Sequence, residues 1–576
     1  MRTRLEKFAV QSAAALLLLL IPAIPGYSAP KTKTSSDIPK SGNVRVIVRY
    51  SSAPNAAAHA NVAAKGGSLQ RVLKSINGAV YTLPAAAVAA IAQDPRVVYV
   101  SPDRPVAGRL EYANPTVHAD TAFNYGYDGA GIGIAVIDSG VNNSPDLHTA
   151  TGGSRIVYNQ SFVPGASAND DYGHGTHVAG ILAGNGSESS NPNDTHTFKG
   201  MAQNASIINL KVLDASGMGS DSQVIAAIEQ AVALKSTYNI RAINLSIGRP
   251  VFESYQDDPL CQAAEYAWRS GIVVVVAAGN EGRNNSVGNN GYGTIGAPGN
   301  DPYVITVGAM KDESTTNRAD DLVASYSSKG PTGIDHIVKP DIVAPGNGII
   351  SIAQSSSTLY ASAASAGLTV PLSYYRPSGS GPSTSYFSLS GTSMATPMVT
   401  GAAVLLAQKD SSLTPDQIKA RLMLSATKTF PSTSSVTDPS TGITYTSQYD
   451  IFTVGAGYLD IWAALNDTHL APGSADSPTA LWNPTTGVVT LADTNMLNGW
   501  TGAPTVWDSS TTWGVPTVWG GAVLGTTTVW GDTTVWGDTT VWGDTTVWGD
   551  TTVWGDTTVW GDTTVWGDTN ELRGER

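Results

Sequence analysis

The chain has 576 residues, 41% of them hydrophobic and only 14% charged, with 60 Gly and a formal net charge of -13. Such a length calls for about two to four folded units, and the composition excludes a coiled coil or a wholly disordered protein. The negative charge excludes nucleic acid or an anionic membrane surface as the main partner, because both would be repelled.

Residues 1–28 read as an export signal. Arg2, Arg4 and Lys7 precede an apolar stretch from Ala13 to Ile24, and small residues surround Gly26 and Ser28. The apolar run is broken by Pro22 and Pro25 and is shorter than the ~20 residues that span a bilayer, so no membrane span is expected after its removal. The expected location is outside the cell. Cys261 is alone, which rules out an intrachain disulfide, and its amphipathic surroundings predict a structural thiol in a helix.

Residues 43–110 form the next expected unit, in the order strand, helix, strand, turn, strand, helix, strand. The strands are Val44 to Val48, two flanking Asn77-Gly78, and Arg96 to Val100; Ala-rich Pro84 to Gln93 supplies the second helix. The Asn-Gly pair signals a tight hairpin, and the whole order describes a small ferredoxin-like α+β module. Residues 112–466 then alternate short apolar runs with helical segments such as Gln223 to Lys235. The runs are Gly133 to Ile137, Ile207 to Leu213, Ala242 to Ser246 and Ile272 to Val276. Strands this apolar are buried on both faces by crossover helices, so an α/β fold of three layers around a mainly parallel sheet is expected, with active residues at strand C-termini.

Residues 472–576 change character again. Thr-Thr-Val-Trp-Gly-Asp recurs with Trp530, Trp536, Trp542, Trp548, Trp554, Trp560 and Trp566 in register, and looser copies surround Trp507, Trp513 and Trp519. Two readings stand: a meander of short strands turning at Gly-Asp, or a low-complexity tail. Its aromatic planes suit a cell surface, a polysaccharide or another copy of itself.

Four segments carry chemistry only when taken together. Ala135 to Gly140 places Asp138 where a buried strand ends. Asp171 to Gly180 places His174 at the start of a helix, whose dipole keeps the imidazole neutral. The His174 and His177 pair lacks the His-Glu-x-x-His pattern of a zinc site, and His177 reads as a structural residue. Ser388 to Pro397 puts Ser393 at another helix start, with Pro397 expected in an early helical turn rather than a helix interior, and Val276 to Gly282 offers the Asn280 side-chain amide after a strand.

These four blocks, in the order Asp, His, Ser, resemble the signature blocks of the subtilisin family, across roughly residues 112–466. The resemblance implies a secreted serine endopeptidase with Asp138, His174 and Ser393 as its triad and Asn280 with the Ser393 N–H as its oxyanion hole. Ser246-Ile247-Gly248 and Gly217-Met218-Gly219 resemble the two extended segments that pair with substrate backbone. The N-terminal module resembles the inhibitory propeptide of that family, which implies a zymogen that cuts itself within about Ser101 to Tyr112. Its partners would then be protein or peptide substrates and its own propeptide. Asp146 matches a family calcium ligand, so structural calcium is an implied cofactor, although the spacing from Asp138 is shortened. The segment Gln354 to Ser385 is longer than in the family, as either a lid or a surface loop. An esterase would want Gly-x-Ser-x-Gly, from which Gly391-Thr392-Ser393-Met394-Ala395 departs. An adhesive scaffold would have no use for an activated hydroxyl.

Overall fold

The computed structural model describes residues 33–34, 38–73, 77–102, 110–286, 289–431, 433–438, 442–468, 470, 473–483, 488–492 and 564–567. The expected export signal, residues 103–109 of the expected maturation segment, and most of the repeats lie outside the described residues. The chain divides into two units, Met1–Val106 and Ala107–Arg576.

In the first unit β1 (Asn43–Tyr50), α1 (Ala56–Ala63), β2 (Ser68–Leu73), β3 (Gly78–Pro84), α2 (Val88–Ala92) and β4 (Val97–Pro102) build one antiparallel sheet in the order β2-β3-β1-β4. Alternation dictates its core: Val44, Val46 and Val48 of β1 are buried, and they pack with Val62, Ile91 and Val100. The hairpin differs from the tight one expected at Asn77-Gly78. Leu73 pairs with Gly78, so Gly78 already belongs to the strand, and Asn77, at φ 50°, directly precedes it.

The second unit begins with α3 (Leu110–Thr116) and α4 (Ala119–Asn124), followed by β5 (Gly133–Asp138), β6 (Ile156–Ser161), α5 (His174–Ala183), β7 (Ser206–Lys211), β8 (Met218–Ser220), α6 (Asp221–Tyr238), β9 (Ile240–Leu245) and β10 (Ile247–Gly248). Then come α7 (Pro259–Arg269), β11 (Val273–Ala277), β12 (Ile305–Lys311), β13 (Leu322–Val323), β14 (Ile342–Pro345), β15 (Ile349–Ile352), α8 (Thr358–Ala366), α9 (Leu372–Tyr375), β16 (Tyr386–Leu389) and α10 (Thr392–Lys409). The main sheet runs β13-β12-β11-β9-β5-β7-β6, with β14 also on β12, and every pairing but β12 with β13 is parallel. All residues of β5 and β11 are buried, as strands covered on both faces must be. Helices α5 and α10 pack on each other and on β5, β9, β11 and β12, while α6 and α7 pair on the sheet as a second layer. The three-layer α/β expectation agrees with this architecture.

Helix α10 is buried along nearly its whole length, which explains its apolar sequence on every face. Pro397 lies inside it, in the second turn. Cys261 is buried on α7 with its Sγ 3.3 Å from Asn300 Oδ1, and burial pushes the thiol up. The long segment before the Ser block is folded: it carries α8 and α9, buries Leu359, Tyr360 and Tyr375, and ties Arg376 to Asp194 at 2.9 Å. Among the described residues no helix is long and apolar enough to cross a membrane.

The strand Thr564–Gly567, from the last repeat, pairs antiparallel with both β8 and β10 in a separate three-stranded sheet. Its two neighbours therefore come from the body of the second unit and not from adjacent repeats.

Candidate active site

Parallel strands leave their C-termini at one edge of the sheet, and β5 delivers Asp138 there. Helix α5 begins at His174, and the two side chains meet with His174 Nδ1 2.8 Å from Asp138 Oδ1, both fully buried. A carboxylate can only accept, so Nδ1 carries the proton and Nε2 is the basic nitrogen. The Ser139 N–H donates to the same carboxylate oxygen at 2.7 Å.

The segment after Asp138 is latched to the start of α5. Asp170, which is buried, accepts from the Gly173 N–H at 2.7 Å, the Thr176 N–H at 2.7 Å and the Ser139 hydroxyl at 2.8 Å. The Gly175 N–H in turn donates to Ser139 Oγ at 2.9 Å. Two otherwise orphaned helix donors are thus satisfied by one carboxylate, which fixes the angle between β5 and α5 and hence the Asp138–His174 contact. Burial pushes the Asp170 carboxyl up, against the donors that favour its charge. Lys211, buried at the end of β7, donates to the Ser139 and Asn169 carbonyls at 2.7 Å each and holds the same turn from the other side. Sequence reasoning missed Asp170; an Asp just ahead of a helix start is the capping signal that could have found it.

His177 follows one turn later on the buried face of α5. Its Nε2 donates toward the Ile349 carbonyl at 3.1 Å and the Phe387 carbonyl at 3.3 Å, and its ring meets Phe387 edge-on at 5.0 Å. Burial, reinforced by His174, pushes it down to about 3, so it is a neutral core residue.

Ser393 is the second residue of α10. Because Pro397 has no N–H, the Ser393 carbonyl four residues earlier loses its helical partner. Ser246 supplies one: its hydroxyl donates to the Ser393 carbonyl at 2.8 Å, and the Ser393 hydroxyl donates to the Ser246 carbonyl at 3.0 Å. Asn280 is held by the residue before Ser393. Its Oδ1 accepts from the Thr392 N–H at 3.0 Å and the Thr392 hydroxyl at 3.2 Å, while the Gly279 N–H donates to that hydroxyl at 3.1 Å. With Oδ1 accepting from Thr392, Nδ2 is the donating end of the Asn280 amide. Sequence reasoning also missed Thr392, whose only local signal is a hydroxyl beside the candidate nucleophile.

Ser246, Ile247 and Gly248 lead from this exchange into β10, and Gly217, Met218 and Gly219 lead into β8. Gly217 (φ 78°) faces the Tyr172 ring, which a Cβ there would meet at 2.6 Å. Arg249, directly after β10, joins both oxygens of Asp221 at 3.0 Å and Asp258 at 2.7 Å. Asp221 directly follows β8, so this buried guanidinium ties the ends of the two short strands together.

Asp146 does not fit a calcium ligand in this arrangement. One carboxylate oxygen accepts from the Ser187 hydroxyl at 3.0 Å and the Glu188 N–H at 2.8 Å, and the other accepts from the Tyr386 hydroxyl. Three donors thus take three of the carboxylate's about four lone-pair sites, which leaves little of it to a cation. Burial pushes the Asp146 carboxyl up, as expected of a hydrogen-bonded core residue. Among the described residues no group of three His, Cys, Asp or Glu side chains is set to hold a metal.

Comparison with known proteins gives a consistent result. Residues 129–457 match the subtilase family. The chain is 36% identical over 334 residues to the serine protease AprX of Bacillus subtilis, covering 57% of this chain and 68% of that protein. It is 33% identical over 434 residues to subtilisin E of the same organism, covering 74% of this chain and 94% of that protein. An alkaline protease of Shouchella clausii is 33% identical over 344 residues, covering 59% of this chain and 71% of that protein.

Proposed function

The chain belongs to the subtilase family and is a serine endopeptidase, and we propose that Asp138, His174 and Ser393 are its catalytic triad, with Asn280 and the Ser393 N–H as its oxyanion hole. The observation that carries this reading is the buried 2.8 Å contact between His174 Nδ1 and Asp138 Oδ1, made between the end of β5 and the start of α5, the helix that packs on α10. In the first step the Ser393 hydroxyl gives up its bond to the Ser246 carbonyl and its oxygen attacks the scissile carbonyl, while its proton passes to His174 Nε2. Asp138 holds the ring and stabilises the imidazolium. The developing oxyanion is met by Asn280 Nδ2 and by the Ser393 N–H at the start of α10. His174 then returns the proton to the leaving amine, and water repeats the cycle on the acyl-enzyme. Because His174 must be unprotonated to act, the working range is neutral to alkaline.

Substrate backbone is recognised by Ser246, Ile247 and Gly248 on one side and Gly217, Met218 and Gly219 on the other, through main-chain pairing that any extended peptide can satisfy. The chain is exported as a zymogen: residues 1–28 are the signal, residues 43–110 an inhibitory propeptide, residues 112–466 the peptidase and residues 472–576 the repeat tail. The family likeness and the export pattern of Met1 to Ala29 support this reading. Structural calcium is typical of the family, and the engaged oxygens of Asp146 speak against that residue as its ligand. Mass spectrometry of the secreted product tests the reading. The parent chain is expected to lose its N-terminal unit by a cut within Ser101 to Tyr112, and Ser393→Ala is expected to keep it; identical processing in both, without other proteases, contradicts self-maturation.

A further inference from the structure

β8 and β10 offer two short rows of main-chain donors and acceptors, and the structure gives both rows the same partner. Thr564, Val565 and Trp566 pair with Ser220, Gly219 and Met218, while Trp566 and Gly567 pair with Gly248 and Ile247. A strand paired on both edges is held by its backbone from two sides, which a single-edge contact cannot do. The spacing of the rows is fixed by Arg249, which joins the residue after β10 to Asp221 after β8.

The direction of the strand matters. It runs from Ser220 towards Ile247, so its carboxyl end lies beside Ser246, whose carbonyl accepts the Ser393 hydroxyl. That is the orientation of a peptide whose acyl side is presented to Ser393. The tetrapeptide seated there, Thr-Val-Trp-Gly, occurs eight times between Thr517 and Gly567, so the same backbone ligand is offered repeatedly by one chain.

We propose that the Thr-Val-Trp-Gly repeats are a tethered competitive occupant of the peptidase cleft, one copy at a time filling the strand position between β8 and β10 and holding the intact enzyme in a self-inhibited state. The proposal rests on the reading of these two segments as the substrate-binding walls. A tethered ligand experiences an effective concentration on the order of millimolar, and identical copies multiply the chance that one is seated. Even a strand that binds weakly as a free peptide therefore fills the cleft much of the time. Any released substrate competes with it, so the effect falls on KM and not on the chemical step.

The test uses the full chain with proline at Val518, Val529, Val535, Val541, Val547, Val553, Val559 and Val565, which removes a ladder donor from every copy. With a chromogenic tetrapeptide anilide, the expected result is an apparent KM about two- to tenfold lower than the parent's with kcat unchanged, the unchanged kcat also reporting an intact fold. In a Ser393→Ala background, where no cleavage intervenes, amide exchange over 217–220 and 246–249 is expected to be faster with the proline repeats than with the native ones. Equal KM values together with equal exchange overturn the proposal. A Ser393→Ala chain that still hydrolyses the anilide overturns the active-site reading instead, whatever the repeats do.

Discussion

Ser246 and Ser393 exchange hydrogen bonds, each hydroxyl donating to the carbonyl of the other at 2.8 and 3.0 Å. The exchange exists because Pro397 offers no helical N–H to the Ser393 carbonyl, and it couples Ser246, beside β10, to the backbone of Ser393, the proposed nucleophile. Ser246→Ala should therefore cost about 1–3 kcal/mol of stability, the penalty of a buried carbonyl left unsatisfied. Pro397→Ala provides a new N–H for that carbonyl, so adding it to Ser246→Ala should recover part of the loss. Denaturant unfolding of both single variants and the double variant measures the coupling, and strictly additive effects would contradict this origin of the exchange.

Thr392 aims Asn280. Its N–H and hydroxyl both donate to Asn280 Oδ1, and the hydroxyl also receives the Gly279 N–H. Thr392→Val keeps the shape and removes the hydroxyl, so Asn280 Oδ1 loses that donor while keeping the Thr392 N–H. The expected outcome is a fall of about tenfold in kcat with little change in KM, as for one lost hydrogen bond felt in the transition state. Equal losses in kcat for peptide substrates of every length would accompany it; a change confined to KM would mean that Thr392 serves binding instead.

Arg249 sets the separation of β8 and β10 through Asp221 and Asp258. Lysine in its place keeps the charge but cannot reach both carboxylates with fixed geometry. Arg249→Lys is expected to raise KM several-fold for peptides long enough to pair with both strands, and to leave turnover of a single-residue ester unaffected. Steady-state kinetics on a length series of substrates reads this directly.

His177 gives the fold a defined acid sensitivity. Burial, with His174 beside it, pushes it down to about 3. A folded-state value below the unfolded one means that the unfolded chain binds the proton more readily. The contribution of His177 is therefore fully present above the ordinary histidine value of about 6.5 and is lost progressively as the pH falls towards about 3. His177→Gln lacks that titration, so the stability advantage of the parent over this variant should shrink between pH 7 and pH 4 in thermal melts. An advantage independent of pH would contradict a neutral, buried His177.

Much of this architecture was legible in the chain because its main signals are local. Gly133 to Ile137 and Ile272 to Val276 are too apolar to be anything but covered strands, and the segments around Asp138, His174, Asn280 and Ser393 are contiguous motifs. What escaped is non-local. Asp170 capping the start of α5, Thr392 holding Asn280, and Ser246 replacing the donor that Pro397 lacks are contacts between residues set beside each other only by the sheet. Local rules put Pro397 in an early helical turn but do not foresee a side chain 147 positions earlier taking over the carbonyl that it strands. The same holds for Asp146, whose match to a calcium ligand ignored Tyr386, a partner 240 positions away. The repeat around Trp566 showed its β-prone composition but not that its neighbours would be β8 and β10.

The most direct measurement is covalent labelling of the full chain with a sulfonyl fluoride, followed by peptide mass mapping and a parallel activity assay. The account predicts one label per molecule, on Ser393, with hydrolysis lost in proportion to labelling, and no labelling once His174 is replaced by Ala. Undiminished peptide hydrolysis by a chain fully labelled on Ser393, or by Ser393→Ala, would contradict it.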